Sequence, residues 1–154
     1  MQVYPLSKSK KLNNLCRDLS RVLNSDSFFE ELSKFDGFEY SSDSDGVVDG
    51  NEVADAIKYC TIDARVILYR PWWRWSKVNG YFNASKAIDR IYINKYSFDK
   101  RDYRSCANTI MHEIIHLVDH WDKERSFSHG SNSPIGKAES APWKIAKLVV
   151  DKFF

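Results

Sequence analysis

Cysteine is scarce in this chain of 154 residues: Cys16, Cys60 and Cys106 are an odd number without a C-x-x-C spacing. That excludes a disulfide framework and a zinc ribbon. Each thiol lies in an apolar stretch and is expected to be buried and free. No apolar run approaches the ~20 residues that a bilayer-spanning helix needs, so no membrane partner is expected. The opening Met1-Gln2-Val3-Tyr4-Pro5 lacks the charged-then-apolar plan of a signal peptide. The expected setting is therefore reducing and cytoplasmic. Charge of one sign is lacking too, since 23 basic residues face 21 acidic ones for a net charge of +2. A nucleic-acid binder concentrates its basic residues on one face. Here they are spread along the chain, and no nucleic-acid partner is expected.

What remains is a soluble globular composition, 43% apolar and 29% charged, long enough to bury a core unaided. Repeats and linkers are missing, which predicts one domain over 1–154. Leu12, Leu15, Cys16, Leu19, Val22 and Leu23 recur at helical spacing and predict a helix over about 10–23. Ser27 with Glu30 reads as a capping box opening a short second helix to about Phe35. A third helix is expected over 51–60. The β-rich run 64–69, the segment 77–82 and the alternating run 90–94 predict strands. A long helix follows over about 105–121, then a polar loop over 122–136 and a last helix over about 142–153. The fold class is α+β, with a small, mostly antiparallel sheet.

The long helix contains Met111-His112-Glu113-Ile114-Ile115-His116. Two histidines four apart lie about 40° apart around a helix and one turn along it, so their rings can meet at one tetrahedral metal. Glu113 stands one step round from His112, where it can take a proton from water on that metal. Ser105, Asn108, His112, His116, Asp119 and His120 share one arc of the helix, opposite a broad apolar face. A surface helix would place Lys, Arg or Glu along such a stripe.

The motif His112-Glu113-Ile114-Ile115-His116 resembles the active-site helix of the zincin metallopeptidases, over roughly 90–121. The resemblance implies that His112 and His116 bind Zn2+, that Glu113 is the general base, and that a third ligand lies further along. It also implies a compact zincin-like domain with the metal helix under the sheet. The metzincin branch has a glycine three residues after the second histidine and a further histidine three beyond. Asp119 and Asp122 stand there instead, so the third ligand has to be sought separately.

His120 lies eight residues from His112, about 12 Å along a helix, and cannot share the metal with it. Asp122 is an alternative that needs a sharp turn after Trp121 with no glycine to make it. His129 is preferred, because Phe127-Ser128-His129-Gly130 is a turn-rich loop able to fold back. It also looks like the histidine-glycine segment that follows the active-site helix in many small bacterial and phage zincin-like proteins. Asp119 and His120 are expected behind the ligands, Asp119 accepting the outer N–H of a metal-bound imidazole.

Asp43, Asp45, Asp49 and Glu52 match positions of an EF-hand loop whose first position is Ser41, so Ca2+ is a second candidate ion. The local rival is that Asp49 and Glu52 form a capping box. Trp72, Trp73 and Trp75 with Arg74 read as cover for the edge of a core rather than as a binding platform. Ile91, Tyr92, Ile93 and Asn94 are expected as a strand rim along which an extended peptide lies. Tyr92 and Tyr103 are guesses for an oxyanion donor. The expected function is thus a zinc-dependent peptidase acting on a peptide or protein substrate. Two rivals are a non-catalytic zinc-binding interaction protein on the same scaffold and a calcium-binding module.

Overall fold

The computed structural model describes residues 1–39, 47–73, 76–129 and 137–154. Its elements in order are β1 (Val3–Pro5), α1 (Lys10–Val22), α2 (Asp26–Leu32), α3 (Gly50–Tyr59), β2 (Ala64–Tyr69), β3 (Gly80–Phe82), β4 (Arg90–Asn94), α4 (Lys95–Lys100), α5 (Tyr103–Trp121) and α6 (Ala141–Phe153). A short 3-10 turn, Lys137–Glu139, precedes α6. These form a compact α+β fold.

Local chemistry explains the helix starts. The Ser9 hydroxyl accepts the Leu12 N–H ahead of α1, and Asp102 accepts the Ser105 N–H ahead of α5. At α2 the cap is Ser25, which accepts the Phe28 N–H, and not the expected Ser27; the helix stops at Leu32. Asp49 and Glu52 do form the reciprocal capping box of α3. The first residue of α3 must be Gly50, because a Cβ there would fall 1.9 Å from the Leu32 carbonyl oxygen.

The sheet order is β1-β2-β4-β3, and the expectation of a mostly antiparallel sheet is corrected. β1 pairs parallel with β2, β2 parallel with β4, and only β3 runs antiparallel, against β4. The reason lies in the connections. Helices α1 to α3 carry the chain from β1 to β2, and such crossovers return a strand parallel. The loop from β3 to β4 is short and makes a hairpin.

One face of the sheet rests on α1 and α5. Val66, Ile91, Ile93, Ile110, Ile114 and Leu117 are buried at that contact. Tyr69, Tyr81 and Tyr92 stand on the opposite face, with Tyr81 stacked on Tyr92 at 4.9 Å between ring centroids. α5 packs most extensively against α6. All three cysteines are buried and free, and burial pushes the Cys16 thiol up to about 12. Trp72 is 97% exposed, so it covers no core edge as expected; Arg74 and Trp75 lie outside the described residues. Among the described residues no helix is long and apolar enough to cross a membrane.

Candidate metal centre

The apolar face of α5 is driven into the core by Cys106, Ala107, Ile110, Met111, Ile114, Leu117 and Val118. This fixes the rotation of the helix, and with it the direction of His112 and His116. Their Nε2 atoms lie 3.2 Å apart. The Nε2 of His129 lies 3.3 Å from that of His112, and the His116 and His129 ring centroids are 4.7 Å apart. The three imidazoles, all partly buried, thus converge closely enough to bind one metal ion.

The spacing tests which ion suits them. Three nitrogens at about 2.0–2.1 Å from a tetrahedral zinc stand about 3.3–3.4 Å from one another. The 3.2 and 3.3 Å from His112 Nε2 to His116 Nε2 and His129 Nε2 fit that spacing, and all three ligand atoms lie within 4.8 Å of one another. The donor set points to a transition ion, since imidazole suits zinc, copper, iron or nickel whereas calcium and magnesium take oxygen.

Asp119 anchors the loop that supplies the third histidine. Its Oδ1 accepts the Phe127 and Ser128 backbone N–H groups at 2.6 and 3.1 Å, and its Oδ2 accepts the Ser128 hydroxyl at 2.5 Å. The fully buried Phe127 ring pins the same segment into the core. The expectation that Asp119 accepts an imidazole N–H is therefore corrected: it serves the centre through the loop backbone. Asp122, the alternative ligand, lies elsewhere. It accepts backbone N–H groups of Glu124 and Arg125 and pairs with the Arg125 guanidinium at 2.9 Å. His120 is exposed at the end of α5, its ring 5.8 Å from Phe82, on the wall of the cleft and outside the triad.

Glu113 is 8% exposed and opens on the same cleft of about 680 Å³ as the three histidines. Its Oε2 accepts the Phe82 backbone N–H at 2.9 Å. Burial pushes its carboxyl up to about 7, against the smaller opposing pull of that hydrogen bond. Oε1 has no hydrogen-bond partner among the described residues and is left to the cleft.

No family model, curated protein or solved structure matches the chain. The site therefore has to be read from its own geometry.

The expected strand rim is corrected. Ile91, Tyr92, Ile93 and Asn94 lie on β4, whose two edges are both paired, so no backbone edge is open there. Ile91 and Ile93 are core residues, and Asn94, 1% exposed, donates through Nδ2 to the Val78 carbonyl at 3.0 Å. The edge strand beside β4 is β3. The Asn79 carbonyl accepts from Asn94 N–H on the β4 side, whereas the Phe82 N–H points the other way, to Glu113. Gly80 and Phe82 thus face the cleft. A Cβ on Gly80 would sit 3.0 Å from the Thr109 methyl and 2.8 Å from Ile93, so glycine lets β3 close onto α5.

Neither tyrosine guess is placed at the centre. Tyr92 is on the outer sheet face, and Tyr103 opens α5 with its hydroxyl donating to Asp18 at 2.6 Å. Asp49 and Glu52 cap α3 as above; Asp43 and Asp45 lie outside the described residues. Sequence reasoning missed Trp143, on the first turn of α6, whose ring meets His112 edge-on at 4.7 Å. Its position in the aromatic-poor start of α6 gives no signal of that contact, which depends on how α6 lies on α5.

Proposed function

We propose that the protein is a zinc-dependent hydrolase, a zincin-like peptidase that acts on an extended peptide lying along β3. The observation that carries the reading is the convergence of His112, His116 and His129, with His112 Nε2 3.2 and 3.3 Å from the other two, beside the buried Glu113 carboxylate. His112, His116 and His129 would hold the ion. Zinc there would supply a bound water with a pKa near ~7 and polarise a carbonyl oxygen.

The rest falls to residues of the chain. Glu113 takes a proton on Oε1 while Oε2 stays fixed by Phe82 N–H, and later gives that proton to the leaving nitrogen. Burial raises the proton affinity of Glu113, the direction a proton carrier needs, and a cation held by the histidines would pull the other way. A purely structural metal site has no use for a desolvated carboxylate, which weighs against the non-catalytic reading. The outer edge of β3 would offer the backbone groups of Gly80 to a peptide strand, the Phe82 N–H being already given to Glu113.

Metal analysis beside activity tests this. About one zinc per chain is expected in the wild type and none in His116→Ala or His129→Ala. Glu113→Gln should keep its zinc and lose peptide cleavage. A wild type that takes up no zinc on reconstitution would remove the hydrolase reading. Zinc-loaded protein that cleaves nothing in a broad peptide library would leave the interaction protein.

A further inference from the structure

The connection from β2 to β3, residues 70–79, carries Trp72, the most exposed large apolar side chain among the described residues at 97%. Trp73 at 58% and Val78 at 49% are exposed beside it in the chain. The charge around them has one sign. Between Asp63 and Asp89 the sequence carries Arg65, Arg70, Arg74, Lys77 and Lys86 and no acidic residue. We propose that this connection is a docking tip for an anionic phospholipid surface, with its indoles among the headgroups and Arg70 and Lys77 against lipid phosphates. This goes beyond the hydrolase reading and does not depend on it.

The geometry of the connection supports a tip. Pro71 cannot donate to a strand ladder and ends β2. The Trp72 and Trp73 rings lie side by side, 6.4 Å between centroids. Ser76 N–H donates to the Trp73 carbonyl at 3.1 Å and Val78 N–H to the Ser76 hydroxyl oxygen at 3.3 Å, so the chain turns back behind them. Its base is clamped, because Asn94 donates through Nδ2 to the Val78 carbonyl and through its N–H to the Asn79 carbonyl. Val78 also lines the cleft, so a docked tip would turn the mouth of the cleft toward the lipid. Among the described residues Arg70 and Lys77 pair with no carboxylate, which leaves both cations to a ligand.

The chemistry selects the occupant. Apolar rings exposed side by side are uncommon on a soluble surface and mark a place of contact. Tryptophan suits the headgroup layer, with an apolar body and a hydrogen-bonding N–H, and each cation near an anionic leaflet adds affinity. Lying on a membrane needs no spanning helix. A single-stranded nucleic acid also uses aromatic rings and cations, but the neighbouring sheet face is poorly prepared for one. Tyr81 and Tyr92 stack on each other there, and Lys86 lies 5.0 Å over the Tyr81 ring. Arg65 and Arg90 are drawn to Asp89 at 3.2 and 3.9 Å, so no free basic track continues from the tip.

The test is co-sedimentation of the full chain with vesicles of phosphatidylcholine alone and of phosphatidylcholine mixed with phosphatidylserine. Binding to the mixed vesicles should exceed binding to the neutral ones by about tenfold or more, and should fall at about 0.5 M salt. Trp72→Ala, at a position outside the core, should weaken it about tenfold. Arg70→Ala combined with Lys77→Ala should weaken it by a similar factor through charge alone. Quenching of tryptophan emission by brominated acyl chains should accompany binding and shrink in Trp72→Ala. Both variants should keep the wild-type Tm, and either one decides the matter if the other is destabilised. Absence of binding to the mixed vesicles, equal binding to the neutral ones, or binding untouched by the substitutions would each overturn the proposal. So would tighter binding of oligothymidylate than of vesicles through the same residues, which would make the tip a nucleic-acid site. The vesicle assay needs neither zinc nor Glu113, so its failure leaves the hydrolase reading standing, and the reverse holds too.

Discussion

Two carboxylates six residues apart on α5, Glu113 and Asp119, have opposite surroundings. Glu113 is nearly dry, so its proton affinity rises despite the one backbone N–H it accepts. Asp119 takes three donors, all from Phe127 and Ser128, and so works as an anchor for chain rather than as a base. The same side-chain chemistry gains proton affinity where donors are withheld and becomes a structural clamp where they are supplied. Helix α5 therefore contributes twice: two histidines and Glu113 directly, and the third histidine through Asp119.

The largest effect that sharpens this contrast is expected at Glu113. Glu113→Gln preserves the shape and the Phe82 contact while removing the proton acceptor. Peptide hydrolysis should fall by about 10²–10⁴-fold with zinc content unchanged, measured as kcat beside metal analysis. A variant that kept most of its activity would place the base elsewhere.

Phe127→Ala comes next, because it attacks the anchor from the core side. Removing a fully buried phenyl should cost about 3–5 kcal/mol in a denaturation titration. A loss below ~1 kcal/mol would mean that the segment before His129 is held by Asp119 alone. Asp119→Ala should then weaken zinc binding by about 10–100-fold while the fold survives, since it frees the third ligand without touching it. The visible spectrum of the cobalt-substituted protein separates that role from general damage. It should shift toward that of His129→Ala, whereas a merely destabilised variant would keep the wild-type spectrum at low temperature.

How much of this was legible beforehand follows from the range of the interactions. The helical spacing of His112 and His116 and the apolar face behind them are local, and α5 is found where periodicity places it, two residues longer at its start. Asp49 and Glu52 are likewise local, and their capping box is present. β1 and α4 escaped, because three residues ending in Pro5 and six residues of mixed polarity carry no period to read. Strand order is a long-range property. Ile91-Tyr92-Ile93 reads as a half-exposed edge, yet β3 and β2 cover it on both sides. The choice of His129 over Asp122 rested on turn chemistry, and the structure brings His129 to the other two histidines. The partner of Asp119 was beyond reach, because it depends on where the chain lies eight and nine residues later.

The smallest expected effect gives the finest test of the anchor. Ser128→Ala deletes one of the three donors to Asp119, the hydroxyl, and leaves the two backbone N–H groups in place. A charge-assisted hydrogen bond contributes about 1.5–3 kcal/mol when its loss leaves a charge unsatisfied. Here two donors remain and the carboxylate borders an open cleft, so water can replace the third at little cost. Zinc affinity should therefore fall by about threefold or less, well short of the Asp119→Ala loss. If Ser128→Ala matched Asp119→Ala in a competition titration with a chelator, the hydroxyl, and not the backbone pair, would be what holds His129 to the centre.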